Sequence, residues 1–204
     1  MKIAIACVTK NSNQIPNWVK RNSAFGECFY EISGNEHNPK NSGFSRIINL
    51  IKNTHDWIFM IDDDEYIVGQ IPHISDDISC VRVCSKTFGP EGRRHTPEDP
   101  FGLYNNPIED KLTKCLVRIK HLRSFDSHWA EVIAGKTVNS KLEECKTDGA
   151  RITYCDDNFY LNHYKLQSYD DLIRKSNRGS IHQKDKYTFS KAQLETIRLI
   201  MGLE

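Results

Sequence analysis

Three short apolar runs, KIAIACV at 2–8, CFYEIS at 28–33 and WIFMI at 57–61, each have the length and composition of a strand. Between the first two, Ile15, Trp18, Val19 and Phe25 recur near helical spacing. Between the last two, Phe44, Ile47, Ile48 and Ile51 share one helical face behind Ser42, a residue suited to cap a helix. Parallel neighbours in a sheet need a crossover, and a helix is the usual one, so the alternation predicts the α/β class with a parallel sheet covered on both faces. Ligands of such sheets bind outside the carboxyl ends of the strands. Thr9-Lys10, Ser33-Gly34 and the run Asp62 to Glu65 all stand at such ends, which predicts one binding rim.

That acid run, in WIFMIDDDEYI, is the most unusual local feature. Neighbouring carboxylates repel, and a folded chain keeps them together only where solvent, hydrogen-bond donors or a cation offset the repulsion. Two readings stay open from the residues alone, a solvated strand end and a metal site. No Lys or Arg occurs between Lys52 and Arg82, whereas Asp56, Asp62, Asp63, Asp64, Glu65, Asp76 and Asp77 fall in that window. An Asp-x-Asp pair after a buried strand suits a divalent ion holding a diphosphate; oxygen ligands favour Mg²⁺ or Mn²⁺, and a histidine in the shell favours Mn²⁺.

Further along, ISCVRVCSKTFG and KCLVRIK read as strands around a long Pro- and Gly-rich segment, 90–110, whose Phe101 and Tyr104 suggest a binding loop. HWAEVIAG, ARITYC and FYLNHY read as additional strands. SYDDLIRKSNRG opens with a capping box, Ser168 with Asp171, and ends at Gly179; SKAQLETIRLIMGL repeats the device with Ser190 and Gln193. A chain of 204 residues with this pattern is expected to form one domain, 1–204, with a nucleotide-binding half (1–87), a second half (88–180) and a C-terminal helix (181–204).

A net charge of +1 and the lack of a basic tract argue against nucleic acid as a partner. The apolar start of MKIAIACVTKN is too short for a signal peptide, and no run reaches the length of a membrane span. Seven cysteines without a CxxC pair suggest buried, reduced thiols, and with them a soluble cytoplasmic protein.

Two motifs about a hundred residues apart carry a resemblance. WIFMIDDDEY is similar to the W-x-x-x-x-D-x-D-E-F segment of glycosyltransferase family 92, and NHYKLQSYDDLIRKSNRG resembles that family's HY…KS…EF…K…RG ending. TFGPEG, Lys114 before an apolar strand, and His128 follow in matching order; Tyr66, Gln167 and the Asp171-Leu172 pair depart from the pattern. The resemblance implies a GT-A fold, Rossmann-like, with three α/β/α layers about a mixed, mainly parallel sheet. It also implies a metal-dependent, inverting transferase moving sugar from a nucleoside-diphosphate sugar, UDP-sugar above all, to a glycan or glycoprotein hydroxyl. Asp62 and Asp64 would meet the metal, Mn²⁺ or Mg²⁺, with His163 completing its shell. Asp62 would also lie at the ribose, and Asp63 would be the variable middle residue beside it. Thr9, Lys10 and Arg46 would stand along the nucleotide, and Lys175 and Arg178 would grip the diphosphate.

Direct displacement at an anomeric carbon requires a general base, which could be Glu131, Asp99 or His128; Trp129 is placed to stack on a sugar. Two other classes use similar parts. A nucleotide-sugar-binding module would keep the metal site without turnover. A sugar nucleotidyltransferase would carry a Gly-rich phosphate loop after the first strand, where CVTKNSNQ has none.

Overall fold

The computed structural model describes residues 1–10, 12–33, 39–89, 93–95, 97, 99–104, 107–126, 128–145, 157–165 and 167–178. They belong to two compact units, one of residues 1–86 and 109–163 and the other of 87–108 and 164–204.

The first unit is built on a mixed sheet, eight strands among the described residues. β1 (Ile3–Thr9) lies parallel to both β2 (Glu27–Ile32) and β3 (Trp57–Ile61). β4 (Glu65–Gly69), β5 (Ile78–Thr87), β6 (Ile108–Arg118), β9 (Lys136–Asn139) and β10 (Phe159–His163) extend it in the order β2-β1-β3-β6-β5-β10-β4, with β9 paired to β5. β6 runs antiparallel to β3, and β10 antiparallel to β4. A separate two-stranded ribbon joins β7 (Leu122–Phe125) to β8 (Ala130–Val132). The α/β class and the mixed sheet are as the sequence predicts.

β1 and β3 are buried on both faces, hence their unbroken apolar runs. Ala4, Ala6 and Val8 of β1 and Ile58 and Met60 of β3 pack in the core with Phe44, Ile47 and Ile51 of α2 (Pro39–Ile51). The first crossover, from β1 to β2, carries α1 (Ile15–Asn22), with Ile15, Trp18 and Asn22 buried. Two expectations for α2 separate. Its apolar face is as read, but the helix starts at Pro39, so Ser42 lies inside it rather than at its cap. Proline suits a first helical turn because its missing N–H would have had no partner there.

Only three residues link β3 to β4, although β6, β5 and β10 intervene in the hydrogen-bonded order. Four strand spacings make roughly 19 Å across a flat sheet, whereas the Cα steps from Ile61 to Glu65 reach at most about 15 Å. The sheet therefore curls, and a turn closed by the Glu65 amide on the Asp62 carbonyl at 3.1 Å makes the corner. The outer edge of β4 is not left open: the buried Asn22 side chain donates to the Glu65 carbonyl (3.3 Å) and accepts from the Ile67 amide (2.9 Å). A side-chain amide thus stands in for a neighbouring strand.

In the second unit, Phe88, Phe101 and Tyr104 gather on Tyr164, with ring centroids 5.0, 6.4 and 5.6 Å from it. Tyr104 is buried and its hydroxyl donates to the Gln167 carbonyl, so that ring is spent on the loop's own core rather than displayed for a ligand. α3 (Tyr169–Arg178) starts as read, its Asp171 amide donating to the Ser168 hydroxyl at 3.0 Å. Its next two free amides, of Tyr169 and Asp170, donate to the Arg93 and Arg94 carbonyls.

The expectation that every cysteine is a thiol does not hold. Cys7, Cys28, Cys80, Cys115 and Cys145 are free, but Cys84 is in a disulfide whose other half lies outside the described residues. Spacing cannot reveal such a pairing, because connectivity is set by the fold. Two expected elements, the strand ARITYC and the helix at 181–204, also lie outside the described residues, as do Gly34 and Gly179. Among the described residues no helix is long and apolar enough to cross a membrane.

Candidate functional site

The four acids at the corner between β3 and β4 have four different environments. Asp62 is clamped: its Oδ1 accepts from Lys40 of α2 and its Oδ2 from Lys114 of β6 at 2.8 Å. The β3–β6 register, with Phe59 opposite Leu116, carries Lys114 to the end of β3 two residues further on. Burial would raise the Asp62 pKa, but the two ammoniums outweigh it and hold the carboxyl well below its usual range. Burial likewise works against the Lys114 charge, and Asp62 and Glu65 more than restore it, lifting the amine above the ordinary lysine range.

Asp63 accepts from the Thr9 hydroxyl at the end of β1. Asp64 faces histidine instead: its Oδ1 is 3.4 Å from His163 Nε2. Burial would lower the His163 pKa, but Asp64 beside it reverses the effect and the net shift is upward. Glu65 is the deepest of the four, 1% exposed. Its Oε2 accepts from the Asp62 amide at 2.8 Å and lies 3.6 Å from Lys114 Nζ, and its Oε1 lies 3.7 Å from His163 Nδ1. Burial pushes this carboxyl up against the opposing pull of Lys114, and the charge on Asp62 adds to the rise. The Trp18 indole ties the corner to α1 by donating to the Asp62 carbonyl at 3.0 Å.

The residues suit a divalent cation at one place. Ligands that are neighbours around an octahedral ion sit about 3 Å apart when each bond is about 2.1 Å, and Asp64 Oδ1 and His163 Nε2 are 3.4 Å apart. Four carboxylates against two lysines also leave a charge of −2 when the His163 ring is neutral, which one divalent ion balances. Asp62, the other expected metal residue, already has an ammonium on each oxygen, so a cation bound there would stand beside Lys40 or Lys114. Among the described residues no three His, Cys, Asp or Glu side chains form a ready-made cage. Two protein ligands are nevertheless a common complement where phosphates and water fill the remaining positions.

The other expected residues are distributed as follows. Arg46 makes its bidentate contact with Glu31 of β2, its Nε 2.8 and 2.9 Å from the two carboxylate oxygens. Lys10 is exposed just beyond β1. His128 lies against β6, with its Nδ1 3.2 Å from the Thr113 carbonyl, and its own carbonyl accepts from the Thr113 hydroxyl at 3.1 Å. Burial, reinforced by Lys114, pushes its pKa down to about 4. The neutral ring then donates from Nδ1 and leaves Nε2 as the unprotonated nitrogen. Glu131 of β8 is half-exposed, engaged by Ser124 at 2.7 Å and Arg123 at 3.3 Å. In the second unit, Asp99 accepts from the Phe101 amide at 3.1 Å. Lys175 and Arg178 lie on α3, and their side chains are outside the described set.

Lys40 is the contributor the sequence reading passed over. Proline at 39 was the available signal: a helix starting there brings Lys40 into its first turn, close to the end of β3.

No protein-family pattern matches the chain, and no curated protein does. Among solved structures, the chain is similar to a glycosyltransferase involved in the glycosylation of the major capsid of PBCV-1 (TM-score 0.33, 11% identity, 57% of this chain and 60% of that one). It is also similar to the catalytic domain of Drosophila β1,4-galactosyltransferase 7 in complex with xylobiose (TM-score 0.39, 12% identity, 97% of this chain and 80% of that one). The chain thus spans 60% of the length of the first structure, and the meaning of the site rests on its own residues.

Proposed function

We propose that this chain is a metal-dependent glycosyltransferase that moves a sugar from a nucleoside-diphosphate donor, UDP-sugar in the first instance, to a hydroxyl of a glycan or glycoprotein with inversion. The observation that carries the reading is the Asp64–His163 pair at 3.4 Å. It unites the two sequence motifs, DDDEY and NHY, at the carboxyl end of a buried parallel strand. Asp64 and His163 would hold Mn²⁺ or Mg²⁺, which when bound offsets the charge of the leaving diphosphate.

The chain's own groups account for the remaining tasks. Asp62, kept ionised by Lys40 and Lys114, is an acceptor for donor hydroxyls such as those of ribose. Thr9 fixes Asp63 and so the path of the corner. Among the candidate bases, His128 is acted on by the charges of Lys114, Asp62 and Lys40, and its ring is neutral at neutral pH. In the reaction it would take the acceptor's proton as the acceptor oxygen bonds to the anomeric carbon and the bond to the diphosphate breaks. Lys175 and Arg178 remain proposed as phosphate contacts.

The test is release of nucleoside diphosphate from a panel of nucleotide sugars with Mn²⁺, together with Mn²⁺-dependent thermal stabilisation by the same donors. Wild type should turn over at least one donor slowly in the absence of acceptor, and Asp64→Ala should lose that activity. Equal release by both proteins would remove Asp64 from the site. Donor-dependent stabilisation without release in any acceptor background would leave a binding module.

A further inference from the structure

This inference rests on the transferase reading of Asp64 and His163 and deepens it. Glu65 opens β4 and His163 closes β10, and the antiparallel ladder sets them directly opposite each other. Opposed residues project from the same face of a sheet. Backbone pairing, before any choice of rotamer, therefore brings this carboxylate to this imidazole.

A carboxylate only 1% exposed must be met by donors. Glu65 Oε2 accepts from the Asp62 amide at 2.8 Å, and two basic groups stand just outside hydrogen-bond range: the Lys114 ammonium 3.6 Å from Oε2 and His163 Nδ1 3.7 Å from Oε1. The other ring nitrogen, Nε2, faces Asp64. An imidazole binds an ion through one lone pair, and it does so best when the hydrogen on its other nitrogen is fixed by an acceptor. Glu65 Oε1, 3.7 Å away, is the carboxylate oxygen that faces that nitrogen.

We propose that Glu65 is the positioning residue of the metal site: it holds the hydrogen of His163 on Nδ1, leaving Nε2 for a divalent cation shared with Asp64. Its second oxygen keeps Lys114 and the Asp62 amide in place, so that Asp62 stays with the lysines while the cation stays with Asp64. The apparently uniform acid run thereby divides into a ligand, a group that orients the other ligand, and a lysine-bound acceptor.

Mn²⁺ alone is the probe, titrated calorimetrically into the full chain without nucleotide. Asp64→Asn and His163→Asn should lose saturable binding. Glu65→Gln, which keeps the size and an acceptor for the Asp62 amide but not the charge, should bind about 10- to 100-fold more weakly. Nitrogen-15 spectra of the His163 ring, recorded above its own titration, should show the hydrogen on Nδ1 in wild type and a mixture of tautomers in Glu65→Gln. A purely structural role would alter melting without moving the tautomer. If Glu65→Gln does not fold, Glu65→Asp takes its place, with the same two readouts and a smaller loss of affinity expected.

Equal Mn²⁺ affinity and an unchanged tautomer in the variant overturn the positioning role and leave the Asp64–His163 site standing. Absence of saturable Mn²⁺ binding by wild type overturns the metal reading and this inference with it.

Discussion

Lys114 lies in TKCLV with its side chain 2% exposed, and an ammonium at that depth is tolerable only beside carboxylates. A lysine inside an apolar strand therefore implies an acidic partner elsewhere in the chain, although spacing does not say which. Asp62 and Glu65, about fifty residues earlier, are the answer, and only the β3–β6 pairing supplies it. The motif residues were legible for the same physical reason that the lysine clamp was not: Asp62 to Glu65 are contiguous, whereas Lys40, Lys114 and His163 meet through tertiary structure. His128 gives a residue-scale prediction. Its folded pKa of about 4 lies below the value of about 6.5 expected for an unfolded histidine. The native state consequently binds fewer protons, and stability rises with pH through this window. The contribution of the neutral ring is complete above pH ~6.5 and is lost as pH falls towards 4. The His128 share of that loss should be roughly 1 to 2 kcal/mol, allowing for solvent screening of the half-buried ring. His128→Asn, which keeps a donor for the Thr113 carbonyl, should flatten this part of the profile. Urea midpoints at several pH values measure it, and parallel curves for the two proteins would exclude the assignment.

At the scale of elements, β1, β3 and the two crossover helices are legible because each has a local apolar pattern and is buried to match it, and β2 is legible from its composition although, as an edge strand, it is only partly buried. β4, β7 and β9 are not: five, four and four residues long, they have little pattern of their own and are strands because of what they pair with. β4 is concealed further by following directly on the acid run. Gly43 shows how closely two of the legible elements meet. A Cβ there would lie 2.7 and 2.8 Å from the two methyl carbons of Val8, so α2 rests on β1 through a missing side chain. Glycine to alanine within a helix is ordinarily stabilising by about 0.5 to 1 kcal/mol. Here the steric term decides the sign, and Gly43→Ala should cost about 1 to 3 kcal/mol in denaturant unfolding. Val8→Ala opens that contact, so the double variant should be more stable than additivity of the two single variants allows. Strict additivity would mean that the helix moves away from the strand at little cost.

For the whole molecule, the net charge of +1 conceals the distribution that matters, an acidic corner compensated by lysines drawn from α2 and β6. Composition reported the sum, and only the fold reports where the charges meet. The same limit applies to the cysteines. An odd number without paired spacing reads as reduced thiols, yet Cys84, fully buried on β5, is cross-linked. A disulfide restrains the unfolded chain more than it adds contacts to the folded one, and loss of a native one costs typically about 2 to 4 kcal/mol. In a chain of this size that corresponds to roughly 5 to 15 °C in melting temperature. Cys84→Ala should therefore melt lower than wild type by about that amount in the absence of reductant. Reductant added during unfolding should bring wild type down to the variant's value and leave the variant where it was. If wild type melts at the same temperature with and without reductant, the cross-link contributes nothing to stability, and the β5 region is held by packing around Cys84 alone.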